Sequence, residues 1–89
     1  MVKYESVHDI VHFPYVTEKT MIKMEEENKL EFMVDLKADK NQIKEAVEDL
    51  FEADVEKVNT LIDKNGKRAI VKFTSEYSAE EIGMRIGVF

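Results

Sequence analysis

From Leu30 to Leu36 apolar and polar positions alternate, with Leu30, Phe32, Val34 and Leu36 on one side and Glu31, Met33 and Asp35 on the other. A period of two is that of a half-buried β-strand. Just downstream the period changes. Ile43, Ala46, Val47, Leu50 and Phe51 recur at three- and four-residue intervals, the stripe of an amphipathic helix, and Asp39 with Gln42 three residues later forms a capping box at its start. On a helical wheel Glu45, Asp49 and Glu52 fall opposite that stripe as a solvated back, while Lys40 and Lys44 flank one edge of it near the N-terminus.

The same reading extends to both ends of the chain. Asp9–Phe13 is β-prone and is closed by Pro14, which removes a backbone donor, so it predicts a short edge strand. Thr17 stands as an N-cap before a helix that opens on acidic Glu18 and ends near Asn28. Val55–Ile62 and Lys67–Thr74 predict two antiparallel strands joined across Asp63-Lys64-Asn65-Gly66, with Asn-Gly supplying positive φ angles for a tight hairpin. Ser78 with Glu81 begins a last short helix carrying Ile82 and Ile86, and Gly87 stops it. The expected fold is α+β: a four-stranded, mainly antiparallel sheet with helices packed on it, a relative of ferredoxin-like folds. A right-handed crossover from strand 30–36 through the long helix to strand 55–62, with the hairpin's last strand between them, makes it a split βαβ unit.

Composition narrows the class. A chain of 89 residues is expected to form a single domain, residues 1–89, around one core. There is no long apolar run and no apolar stretch at the start, so no membrane partner and a cytoplasmic location are expected. The absence of cysteine excludes disulfides, thiolate metal sites and cysteine nucleophiles. The net charge of −6 argues against a polyanionic partner, but it is unevenly spread. Residues 55–74 carry Lys57, Lys64, Lys67, Arg68 and Lys72 against Glu56 and Asp63, a local balance of +3. With screening over about 8 Å at physiological salt, such a patch acts partly independently of distant carboxylates.

Candidate chemistry is sparse. His8 and His12 share a face but lack a third ligand at fixed spacing, so no metal is expected. Ser6, Ser75 and Ser78 lie outside any nucleophile elbow, no glycine-rich phosphate loop occurs, and Glu25-Glu26-Glu27 reads as a solvated helix end. Neither an enzyme nor a cofactor or small-molecule substrate is indicated. The hairpin is more informative. With Ala69, Val71 and Phe73 turned inward, Arg68, Ile70 and Lys72 project to the other side, and Lys67 sits at the turn. On the partner strand, inward Val58, Thr60 and Ile62 leave Lys57, Asn59 and Leu61 facing out. Such a face suits phosphate and ribose contacts, and equally a solvated sheet with lysines protecting it; periodicity alone does not choose.

Motifs do. Pro14-Tyr15-Val16-Thr17-Glu18-Lys19 resembles the opening motif of the ribosomal protein L23 family of the large subunit. Val55-Glu56-Lys57-Val58-Asn59-Thr60 resembles its central strand, and Lys67-Arg68-Ala69-Ile70-Val71-Lys72-Phe73 its final strand. The helix around Lys40, Ile43, Lys44, Ala46, Val47, Leu50 and Phe51 fits between them, and the order and spacing agree over nearly all of the chain after residue 10. The tight turn at 63–66 and the ending from Gly83 to Phe89 look like the archaeal form; bacterial members carry a long basic loop at that turn. The resemblance implies a structural subunit of the ribosome that binds large-subunit ribosomal RNA near the polypeptide exit tunnel, beside ribosomal protein L29. By similarity, Lys19, Lys40, Lys44, Lys57, Asn59, Thr60, Lys67, Arg68 and Lys72 fall to RNA. Glu18 matches a docking position for nascent-chain factors such as a chaperone or signal recognition particle. The chain departs from the family in its acidity, which leaves fewer cations for phosphates.

Two other readings stand beside this one. An acidic ferredoxin-like module could bind a protein through outward Met33, Leu61 and Ile70. A small acyl-phosphate hydrolase of similar shape would need an arginine in a glycine-rich anion cradle, which the sequence lacks.

Overall fold

The computed structural model describes residues 3–87. In chain order it contains α1 (Val7–Ile10), β1 (Val11–Pro14), α2 (Glu18–Glu27), β2 (Lys29–Val34), α3 (Lys40–Phe51), β3 (Val55–Asp63), β4 (Gly66–Phe73) and α4 (Ala79–Arg85). The four strands form one sheet in the order β1-β2-β4-β3, with every neighbouring pair antiparallel. β4 therefore lies between β2 and β3, and the α3 crossover joins two parallel, non-adjacent strands as the split βαβ pattern requires.

Helix boundaries follow from local caps. Thr17 accepts from the Thr20 amide while the Thr20 hydroxyl accepts from the Thr17 amide, and Asp39 and Gln42 close the predicted box on α3 in the same way. Ser78 caps α4 by accepting from the Glu81 amide. α2 ends on Asn28, held left-handed at φ 58°.

One side of the sheet packs on the helices. Leu30, Phe32 and Val34 of β2, Ala69, Val71 and Phe73 of β4, and Val55 and Val58 of β3 join Ile43, Ala46 and Val47 of α3, Met24 of α2 and Ile82 of α4 in a continuous core. Phe32 stacks on Phe51 with ring centres 5.5 Å apart.

Four local expectations are corrected. Asp9 and Ile10 belong to a single helical turn capped by Ser6, so β1 starts at Val11. β2 stops at Val34 because Asp35 turns the chain: its carboxylate accepts from the Lys37 amide and its carbonyl from the Ala38 amide, which leaves Leu36 exposed. Ile62, expected inward, is 65% exposed, because the hairpin tip runs past the end of the helical layer. At the turn Gly66 takes positive φ (122°) whereas Asn65 does not, and Asp63 sets the bend by accepting from the Asn65 amide.

Asp35 also accepts from the Tyr4 hydroxyl at 2.7 Å. That bond holds the Asp35 carboxyl below its usual value and pushes the Tyr4 phenol up to about 12. The carboxylate's contribution is present above the unfolded value near 4 and is lost as pH falls through the lower folded value. The phenol's contribution is present below about pH 10 and is lost as pH rises toward its folded value. Tyr4→Phe is therefore expected to lower stability across neutral pH and to converge with the parent in strong acid, as urea unfolding across a pH series would show.

Candidate nucleic-acid interface

The side of the sheet away from the core carries the cross-strand rows set by the hairpin register. Lys57 on β3 stands opposite Lys72 on β4, which in turn stands opposite Lys29 on β2. The next row is Asn59, Ile70 and Glu31, and the third is Leu61, Arg68 and Met33. Like charges directly opposite one another destabilise a sheet, so three lysines across three strands are not explained by folding.

The anionic partners of this row are weak. Lys29 contacts Glu27 at 3.0 Å and Lys72 contacts Glu56 at 3.3 Å, both on or near the surface. Lys29 holds the Glu27 carboxyl below its usual range, mainly through that hydrogen bond. Exposed pairs of this kind are worth about 0–1 kcal/mol, so a stronger anion can displace them. Lys57 is exposed.

Arg68 is held differently. Its Nε lies 3.0 Å from Glu31 and its Nη1 3.5 Å from Asp63, while the guanidinium carbon sits 4.4 Å from the centre of the Tyr15 ring. The Glu31 side chain is 4% exposed and has Lys23 as a second cation at 3.7 Å. Pulling Arg68 away would leave the buried Glu31 carboxylate with only the longer contact to Lys23, which opposes that movement. The guanidinium is thus committed to the protein.

The other sequence-derived positions do not converge on this face. Thr60 is paired with Ala69 and turns toward the helices, and Lys67, paired with Val34, donates from Nζ to the Ala38 carbonyl at 2.6 Å. Lys67 thereby tethers the loop before α3. Lys40 and Lys44 lie on α3, where Lys44 lines a shallow groove with Asn41, Gln42, Glu45 and Glu48. Glu18 and Lys19 are exposed in the first turn of α2. His8 and His12 are exposed, and the described residues hold no cluster of three metal-ligating side chains. Met33 is 8% exposed, which reduces the expected apolar patch to half-buried Leu61 and Ile70.

Sequence reasoning missed three contributors. Lys29 lies just after Asn28, and a left-handed cap there would have placed it on β2 opposite Lys72. The alternation places Glu31 on the outward face without a partner, and the motif gives Tyr15 no position in space.

Comparison with known proteins decides the family. The family model described as Ribosomal protein L23 matches residues 9–81. The chain belongs to the ribosomal protein L23 family. Among similar L23 proteins, the large ribosomal subunit protein uL23 of Picrophilus torridus is 52% identical over 81 residues, covering 91% of this chain and 99% of that protein. That of Thermoplasma acidophilum is 53% identical over 81 residues, covering 91% and 96%. That of Methanococcus aeolicus is 44% identical over 82 residues, covering 91% and 95%. L23 membership makes this a structural protein of the large ribosomal subunit rather than an enzyme, placed in the cytoplasm within the ribosome. No helix among the described residues is long and apolar enough to cross a membrane.

Proposed function

We propose that the chain binds large-subunit ribosomal RNA with the open face of its sheet, near the polypeptide exit tunnel and beside ribosomal protein L29. The observation that carries this reading is the Lys57–Lys72–Lys29 row, a like-charge cost to the fold that two weak surface ion pairs offset only in part. Its exposed carboxylate partners can be exchanged for phosphates, and Asn59 in the adjoining row can hydrogen-bond a ribose or a base edge. The acidic residues Glu45, Asp49 and Glu52 lie on the exposed side of α3, on the other side of the sheet from this face, so part of the net charge of −6 is held away from the contact, while Glu27 and Glu56 at the lysine row must be displaced or screened.

Lys40, Lys44, Thr60 and Lys67 lie off the open face and would meet RNA only where a large folded RNA wraps around the sheet, whereas Lys19 lies one turn before Lys23, whose ammonium reaches Glu31 of that face, and would extend the contact along α2. Glu18, exposed at the start of α2, remains accessible for a nascent-chain factor such as signal recognition particle. Glu18→Lys is the natural variant for testing that docking.

The test is a binding series over salt with a large-subunit ribosomal RNA transcript, comparing the parent with a Lys29→Ala/Lys57→Ala/Lys72→Ala variant. Each lost phosphate contact is expected to lower the log–log salt slope by roughly 0.7–0.9, so the triple variant should lose about 2–3 units. An unchanged slope would remove the open face as the RNA site.

A further inference from the structure

We infer that Tyr15 and Arg68 form a platform on which one unpaired RNA base stacks, at the end of the open face away from the lysine row. This rests on the RNA reading above and assigns which part of the RNA lies where. The two ends of the face differ in charge. Lys57, Lys72 and Lys29 form a cationic end with exchangeable partners. Four residues along β4 from Lys72, about 14 Å at strand spacing, the Arg68 charge is cancelled by Glu31 and Asp63.

A phosphate gains little at that second end, because the cation already has two carboxylates and Asp63 is exposed to repel another anion. An uncharged flat group meets no such penalty. The carboxylates fix the guanidinium 4.4 Å from the Tyr15 ring centre, so both planar groups are held before any ligand arrives. The Arg68 side chain remains 19% exposed and Tyr15 half-buried, so the stack reaches the surface. Bases stack on aromatic rings and on guanidinium planes, and they do so when splayed out of a helix. A base within a duplex offers only its edge. The platform therefore selects a loop, bulge or strand end whose backbone runs toward the lysine row, past Ile70 and Asn59.

The experiment uses the same ribosomal RNA transcript and salt series with Tyr15→Ala, Tyr15→Phe and the triple lysine variant. Tyr15→Ala is expected to weaken binding roughly 5- to 150-fold at every salt concentration, the range of one base–aromatic stack, with the slope unchanged. Tyr15→Phe should bind like the parent. A lysine variant with unaltered slope would overturn the RNA face itself. A lysine variant of reduced slope beside a Tyr15→Ala variant that binds like the parent, or that changes the slope, would overturn the platform alone. A second readout does not depend on alanine: the chain has three tyrosines and no tryptophan, so Tyr4→Phe/Tyr77→Phe leaves Tyr15 as its one tyrosine emitter. RNA binding should quench that emission, and unchanged emission on saturated binding would contradict stacking.

Discussion

Phe32→Ala is expected to destabilise the protein by about 3–5 kcal/mol, the usual loss for a buried phenylalanine. Phe32 is 1% exposed, lies at the centre of β2 and stacks on Phe51 of α3, so its removal opens a void between the sheet and the helix that crosses it. Neighbouring Ala69 and Val71 are too short to fill that space. A domain of this size has about 5–15 kcal/mol in total, so the variant should be marginal at room temperature. Phe32→Leu, which keeps more of the volume, should lose much less. Urea unfolding measures both, and a loss under 1 kcal/mol for the alanine variant would mean that the core closes in some other way.

Asn28→Ala is expected to cost about 2–4 kcal/mol although the residue is only half-buried. Its Nδ2 donates toward the carbonyls of Phe73, Thr74 and Tyr77, and its Oδ1 accepts from the Ala79 amide at 2.7 Å. One side chain thus ties the α2–β2 junction to the β4–α4 junction. The Ala79 amide is the first of α4 and has no helical acceptor of its own. Alanine also bears the left-handed backbone at φ 58° that asparagine and glycine tolerate better. Asn28→Gly should therefore lose the four hydrogen bonds but recover about 1 kcal/mol of backbone strain. Equal losses for the two variants would show that the conformation carries no strain.

The alternation of β3 and β4 made the open face legible in the sequence. It put Lys57, Asn59 and Leu61 on the same side as Arg68, Ile70 and Lys72, and the strand register matches this pair by pair. Thr17, Asp39 and Ser78 announced three helix starts because a cap is a local event, settled within four residues.

What a strand faces depends on distant residues, and there the pattern fell short. Glu31 alternates like a solvated residue yet is 5% exposed, because β1 pairs with only the far half of β2 and α2 packs along the remainder. Its neutralisation of Arg68 joins positions 37 apart in sequence, beyond any local period. Lys67 lies one step out of phase with Arg68, and only the structure shows its ammonium spent on the Ala38 carbonyl. The family motifs gave the cationic residues as one set and did not sort them by face.

Lysine reactivity would show whether RNA lies on the open face of the sheet. The protein would be treated with an amine-acetylating reagent, alone and bound to the large-subunit ribosomal RNA transcript, and each lysine quantified by mass spectrometry. Protection of Lys29, Lys57 and Lys72, with Lys40 and Lys44 on α3 still reactive, is the predicted result. Protection of Lys40 and Lys44 with the three open-face lysines unchanged would place the RNA on the helical side and contradict the account.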